Sequence, residues 1–197
     1  MLETVALFDG LDPESIQAIE AMVTVRSMPK RTVILTQGEE SSSLYLVLEG
    51  RFKAYLSDSE GREVTLNFIG PGGTFGELSL LDGKPRSASI MALTHARCAI
   101  LSRNHFQQIL QANPRIALHM LGIMANRLRM ATASIADFAL LDVYGRTARI
   151  LIDHSNEDEQ GRRITEPLTH QEIASMVGAS REMVTRILSD LRKGGYI

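Results

Sequence analysis

A single cysteine, Cys98, in 197 residues excludes an intrachain disulfide and any cysteine-rich zinc or iron–sulfur centre within the chain; its expected place is the core. Tryptophan is absent and aromatic residues amount to 5%. No window approaches the roughly 18 uninterrupted apolar residues of a membrane span. The opening MLETVALFDG lacks the basic start and apolar stretch of a secretory signal, so the expected location is the cytoplasm, with no membrane partner. Catalytic patterns are missing too. His95, His105, His119, His154 and His170 are scattered, and there is no HExxH, GxSxG or GxxxxGKS, so neither a metal nor an enzymatic nucleophile is expected. A formal net charge of -2 cannot coat the surface with positive charge, so any nucleic-acid contact must come from a local patch.

What is present is enough apolar residues, 44%, for one large domain or two modest ones, and two are expected. Asp12 can cap a short helix with Pro13 in its first turn, running to about Met22. Glycine then becomes frequent: eight of the 15 lie between Gly38 and Gly83. The strand-like runs SLYLVLEG, EVTLNFIG and SASIMALTHARCAIL lie among or just after them, the last with Ala96, Cys98 and Ile100 alternating with Arg97 and Ala99. Many short strands with regular turns suggest a sandwich or β-roll.

Beyond about residue 104 glycine thins, and PRIALHMLGIMANRLRMATASIADFALL reads as one helix of about 25 residues. Leu121, Met124, Leu128, Ala131, Ile135 and Phe138 form a heptad seam suited to a helix from a second copy. A second stripe, Ile116, Met120 and Ile123, would let the first turns lie on the chain's own domain, as an ordinary amphipathic helix does. VYGRTARILIDHS reads as helix again and NEDEQGRR as an exposed turn or loop.

The sharpest local signal is LTHQEIASMVGASREMVTRILSDLRKGGYI. Thr169 and Glu172 make a capping box, Gly178 a turn, and Ser180 caps a second helix. This predicts a helix-turn-helix. Met183, Val184, Ile187, Leu188 and Leu191 are expected inside, with Arg181, Glu182, Thr185, Arg186 and Ser189 outside. Arg can bond guanine O6 and N7, and Glu can accept from cytosine N4. The candidate DNA contacts are therefore Thr169, Ser180, Arg181, Glu182, Thr185 and Arg186; a solvated Arg/Glu face is the alternative.

QEIASMVGASREMVTRIL closely resembles the DNA-binding domain of the cyclic-AMP receptor protein family of bacterial transcription factors, LLDVYGRTARIL resembles that family's hinge, and FGELSLLDGKPRSAS resembles the phosphate-binding cassette of cyclic-nucleotide domains. The resemblance covers essentially the whole chain. It implies an α+β fold: an N-terminal β-roll of double-stranded β-helix or jelly-roll type over residues 1–113, a dimerisation helix over 114–141, and a winged helix-turn-helix over 142–197. In the family the chain continues into a β-hairpin wing; this one stops at Ile197, so a truncated wing, with weaker and less salt-dependent DNA binding, is the expectation.

The resemblance also implies ligand contacts at Gly76, Glu77, Leu78, Arg86, Ser87, Ala131 and Thr132. Arg86 and Ser87 would bind the cyclic phosphate and Glu77 the ribose 2′-hydroxyl; the residues alone allow a Glu/Arg pair stapling a hairpin. Thr132 keeps the hydroxyl that relatives direct at adenine across the dimer, whereas Ala131 offers none. The implied effector is cyclic AMP, with cyclic GMP as the other mononucleotide, and no metal. The implied partners are a second copy of the chain, duplex DNA with pseudo-palindromic TGTGA-like half-sites, and RNA polymerase; the acidic stretch Glu157 to Glu159 falls near the region that relatives use to touch the polymerase, but a solvated turn is the better reading of it. A regulator that needs no ligand, one responsive to cyclic di-GMP, and more remotely an enzyme processing cyclic nucleotides are the alternatives.

Overall fold

The computed structural model describes all 197 residues. After a 3-10 turn at Ala6–Phe8, Asp12 starts α1 (Pro13–Glu20) by accepting the Ser15 N–H at 2.8 Å. Eight strands follow, β1 (Thr24–Met28), β2 (Val33–Leu35), β3 (Ser43–Glu49), β4 (Phe52–Ser57), β5 (Glu63–Ile69), β6 (Thr74–Phe75), β7 (Ser89–Ala92) and β8 (Ala96–Ser102), with the short α2 (Glu77–Asp82) between the sixth and seventh. The remainder is α3 (Arg103–Ala112), α4 (Arg115–Leu140), α5 (Val143–Asp153), the hairpin β9 (Ser155–Glu157) and β10 (Arg163–Thr165), then α6 (His170–Val177) and α7 (Arg181–Lys193). The α+β class is as expected. The chain divides into two compact units, Met1–Leu56 with Leu66–Arg127, and Ser57–Thr65 with Leu128–Ile197.

The strands make two four-stranded sheets, ordered β1-β8-β3-β6 and β2-β7-β4-β5. In the middle of the first sheet, β3 and β8 are buried on both faces, which is why SLYLVLEG is nearly continuous in apolar residues. Leu44, Leu46, Ala99 and Leu101 point into a core shared with α1, α3 and the start of α4. Tyr45, Val47, Cys98 and Ile100 point the other way, into a core with Phe52, Phe75 and Ile90. The period-two alternation of strands thus feeds two cores from single segments. Burial pushes the Cys98 thiol up to about 12, so it is an inert filler.

The second stripe read on α4 does lie inward: Ile116 and Met120 are buried, and Ile123 packs partly against the same core. Met124, from the heptad seam, is also half-buried there. The rest of the seam faces outward, with Leu121 64%, Leu128 69% and Ile135 69% exposed.

In the second unit, Ile173, Ala174, Val177, Val184, Ile187, Leu188 and Leu191 form the core, joined by Val143, Ile150 and Leu168. Met183, expected inside, is exposed; at 3.6 residues per turn it stands roughly 90° from the centre of the buried stripe. The stretch NEDEQGRR, expected as an exposed turn or loop, is the tip of the β9–β10 hairpin. Asp158 organises it, accepting from the backbone N–H of Gln160 at 2.9 Å and of Arg162 at 2.8 Å, and from Arg162 Nε at 2.8 Å. Asp58 makes the same set with Glu60 at 3.0 Å, Arg62 N–H at 2.9 Å and Arg62 Nε at 2.6 Å, so DSEGR and DEQGR are one turn design used twice.

These bonds hold both carboxyls below their usual range, chiefly through the Arg62 side chain at Asp58 and the Arg162 backbone N–H at Asp158. A depressed folded-state value means that each turn's contribution is present above the unfolded value and is lost as pH falls through the folded one. Carboxyl chemical shifts followed by NMR should therefore give midpoints for Asp58 and Asp158 below the ordinary value of about 3.9. Ordinary midpoints would show that the turns do not hold in solution.

Candidate functional site

Between Thr74 and Ser89 the chain runs through β6, a left-handed residue at Gly76, α2, an exposed loop and β7. Gly76 has φ 86°, and a Cβ there would lie 2.8 Å from both Arg86 Nη1 and the Ser43 carbonyl oxygen. Arg86 occupies that space. It is only 3% exposed; Nη1 donates to the Gly76 carbonyl at 2.6 Å, and Nη2 donates to Ser41 Oγ at 2.7 Å and the Ser43 carbonyl at 2.9 Å. Its backbone is held as well, donating to the Glu39 carbonyl at 2.9 Å and accepting from the Gly38 N–H at 2.9 Å. Burial lowers the guanidinium pKa from the ordinary arginine value, with Tyr45 and Glu77 opposing that shift. Arginine nonetheless stays charged in proteins.

Glu77 is 2% exposed. Its Oε1 accepts from Arg127 Nη1, while Arg127 Nη2 donates to the Thr74 carbonyl at 2.6 Å. Sequence reading missed Arg127, yet a signal exists: Ile116, Met120, Ile123 and Arg127 follow spacings of 4, 3 and 4 on α4, so the arginine continues the inward apolar stripe.

Three buried side-chain polar atoms have no hydrogen-bond partner, Thr74 Oγ1, Glu77 Oε2 and Arg86 Nε, and all three belong to this cluster. Each costs about 1–3 kcal/mol if left unsatisfied. Glu77 Oε2 can only accept while ionised and Arg86 Nε can only donate. The cluster therefore fits a molecule that offers a hydroxyl donor and an anionic oxygen close together.

The structure joins Gly76, Glu77 and Arg86 and adds Thr74 and Arg127. Leu78 and Ser87 are exposed beside them in sequence. Ala131 and Thr132 belong to the second unit, exposed on α4. The Thr132 hydroxyl donates to the Leu128 carbonyl at 2.9 Å.

In the second unit the reciprocal capping box is present: the Glu172 N–H donates to Thr169 Oγ1 at 3.1 Å and the Thr169 N–H to Glu172 Oε2 at 2.7 Å. Gly178 closes α6 at φ 65°, and Ser180 caps α7 by accepting the Met183 N–H at 3.2 Å. Arg181, Glu182, Thr185, Arg186 and Ser189 are all exposed, so α7 presents one polar face. Arg146, another residue missed from sequence, ties this unit together. It donates to the Leu141 carbonyl at 2.7 Å and the Val177 carbonyl at 3.0 Å, and lies 4.8 Å from the Phe138 ring centroid.

Two family models match the chain, a cyclic nucleotide-binding domain over residues 25–113 and a Crp-like helix-turn-helix domain over residues 145–197. The chain is 32% identical to a CRP-like cAMP-activated global transcriptional regulator of Mycobacterium tuberculosis, over 100% of this chain and 90% of that protein. The chain belongs to the CRP family of transcriptional regulators. It is 35% identical to the cAMP-activated global transcriptional regulator CRP of Escherichia coli O157:H7, over 88% of this chain and 84% of that one. Among solved structures it is similar to the c-di-GMP responsive global regulator CLP of Xanthomonas campestris, with a TM-score of 0.80, 28% identity and 93% of each chain covered. As a family member it is a cyclic-nucleotide-binding, DNA-binding regulator of transcription. No helix is long and apolar enough to cross a membrane.

The tight contact at Gly76 has a measurable signature. Gly83 is also left-handed, at φ 71°, but a Cβ there meets nothing within 4 Å. Gly83→Ala should lose about 1–2 kcal/mol in urea unfolding, from backbone strain alone. Gly76→Ala should lose at least about 1 kcal/mol more, because Arg86 has to move. Equal losses would show that Arg86 does not lie against Gly76 in solution.

Proposed function

We propose that the chain is a cyclic-AMP-responsive transcription factor that binds DNA as a homodimer. The observation that carries this reading is the pair of unpartnered atoms, Glu77 Oε2 and Arg86 Nε. A ribose 2′-hydroxyl supplies the donor that the first needs, and a cyclic phosphate oxygen supplies the acceptor that the second needs. Gly76, Leu78 and Ser87 would complete the walls, and Thr132 of the other copy would face the base. Two relatives named as cAMP-activated, at 32% and 35% identity, support cyclic AMP. The likeness to a c-di-GMP responsive regulator, together with a bare methyl at Ala131, supports cyclic di-GMP as the second reading.

Dimerisation is supported by the exposed apolar seam of α4, Leu121, Leu128, Ile135 and Phe138 with Ala131 between them. Ligand contact near Arg127 would bias that helix pair, and the α4–α5 junction at Leu141 to Tyr144 would pass the bias to α7. The shift is limited by the ligand's differential affinity for the two arrangements. Paired α7 helices reading through Arg181, Glu182, Thr185 and Arg186, with Thr169 and Ser180 at the helix starts, match half-sites about one DNA turn apart. RNA polymerase would be the enzyme so regulated.

Calorimetric titration with cyclic AMP, cyclic GMP and cyclic di-GMP tests the ligand. Cyclic AMP should bind, and both Arg86→Ala and Glu77→Gln should weaken it at least about thirtyfold, the cost of stripping a buried charged partner. Glu77→Gln guards against Arg86→Ala failing to fold. Heat with cyclic di-GMP alone would favour the second reading, and heat with none would overturn both. Leu128→Glu combined with Ile135→Glu should sediment as monomer where the parent sediments as dimer; a monomeric parent would refute the dimer.

A further inference from the structure

A guanidinium has a single hydrogen on Nε and a pair on each terminal nitrogen. In Arg86 both Nη2 hydrogens are engaged, one by Ser41 Oγ at 2.7 Å and one by the Ser43 carbonyl at 2.9 Å. Nη1 donates to the Gly76 carbonyl at 2.6 Å, and Nε has no partner. A guanidinium grips two oxygens of a phosphate at once along either of two edges, Nε with Nη2 or Nη1 with Nη2. Each edge needs a hydrogen from Nη2. With Ser41 and Ser43 in place, Arg86 can therefore touch an anion through Nε but cannot hold it at two points.

The acceptors around Arg86 differ in how readily they let go. Gly76 and Ser43 use backbone carbonyls, one at the left-handed residue that opens α2 and the other in β3, where Ser43 pairs with Ser102 of β8. Ser41 precedes β3, is half-buried, and holds Arg86 through a side-chain hydroxyl that one χ1 rotation swings away. Its oxygen is neutral, and an anionic oxygen is the stronger acceptor for a guanidinium hydrogen. Once released, the half-buried hydroxyl can turn to water, an exit that the buried guanidinium lacks.

We infer that Ser41 is a built-in competitor of the nucleotide phosphate: it occupies the Nη2 hydrogen that a two-point grip requires, and the phosphate has to displace it. Ser41 is thus a positioning residue whose hydroxyl lowers affinity and raises the nucleotide concentration at which the site fills. It also favours a group with two adjacent acceptor oxygens, such as the non-bridging pair of a cyclic phosphodiester, since one new bond to Nε leaves the Ser41 contact undisturbed. This rests on the proposed reading of the cassette as a cyclic-nucleotide site.

The test is Ser41→Ala in the full chain, read by calorimetric titration and by thermal melting. Without the hydroxyl, an Nη2 hydrogen is unsatisfied in the free protein and is taken by the phosphate in the complex. Cyclic AMP should therefore bind about tenfold more tightly than it binds the parent, the effect of one hydrogen bond to a charged group. The free variant should melt about 2–4 °C below the free parent. Tighter binding offsets that loss, so the two proteins should melt together in saturating cyclic AMP. Ser41→Thr keeps a hydroxyl and should restore the parent's affinity and melting temperatures. A hydroxyl that merely holds Arg86 ready for the phosphate predicts the opposite sign, weaker binding by Ser41→Ala. Weaker or unchanged binding, or an unchanged melting temperature of the free variant, would overturn the inference while leaving the cassette reading intact. If cyclic di-GMP is what the parent binds, the same changes should appear with it, because its phosphodiesters carry the same oxygen pair. A parent that binds neither nucleotide overturns the cassette reading and this inference together.

Discussion

A guanidinium cannot shed its charge inside a protein, so burying Arg86 obliges the chain to bring acceptors to it. Those acceptors come from three places, the Gly76 carbonyl, the Ser41 hydroxyl and the Ser43 carbonyl. Much of the first unit's local geometry follows. The entrance to β3 must pass beneath the guanidinium, the residue before α2 must lack a side chain, and the Gly38–Glu39 segment must clasp the Arg86 backbone. Even so the demand is not fully met, because Nε stays unpartnered.

The second buried charge, Glu77, is satisfied from a different direction. Arg127 reaches it from α4, on the stripe that otherwise packs Ile116 and Met120 into the core. One helix thus has two faces with opposite physics. The inward face is apolar until it ends in an arginine that neutralises the cassette carboxylate. The outward face repeats leucine and isoleucine at heptad spacing and leaves them in water. Both surfaces belong to one continuous helix, Arg115–Leu140.

The helix-turn-helix is determined more locally. Thr169, Glu172, Gly178 and Ser180 each satisfy backbone groups within their own turns, and the apolar residues of α6 and α7 then meet. What the local rules do not settle is how side chains pair across the two helices. The His170–Thr185 bond joins residues 15 positions apart.

Most elements were legible in the sequence because they depend on neighbours a few residues away: the caps of α1 and α6, the length of α4, the alternation along β3 and β8, and the glycine-marked turns. Composition marked NEDEQGRR as an exposed turn or loop but did not reveal that one aspartate accepts three hydrogen bonds there and bends the chain into a hairpin. Met183 looked like core because it adjoins Val184, although helical geometry turns it to the rim. Glu77 and Arg86 were identifiable through the resemblance of FGELSLLDGKPRSAS to a nucleotide cassette, but Arg127, 50 residues from Glu77, was not. By itself the sequence determined the order of elements, their caps and the family, because those rest on short-range spacing and local motif. Only the tertiary structure decided which charges are buried, who neutralises them and which atoms remain unpaired, because desolvation and hydrogen bonding across distant segments exist only once the chain has closed on itself.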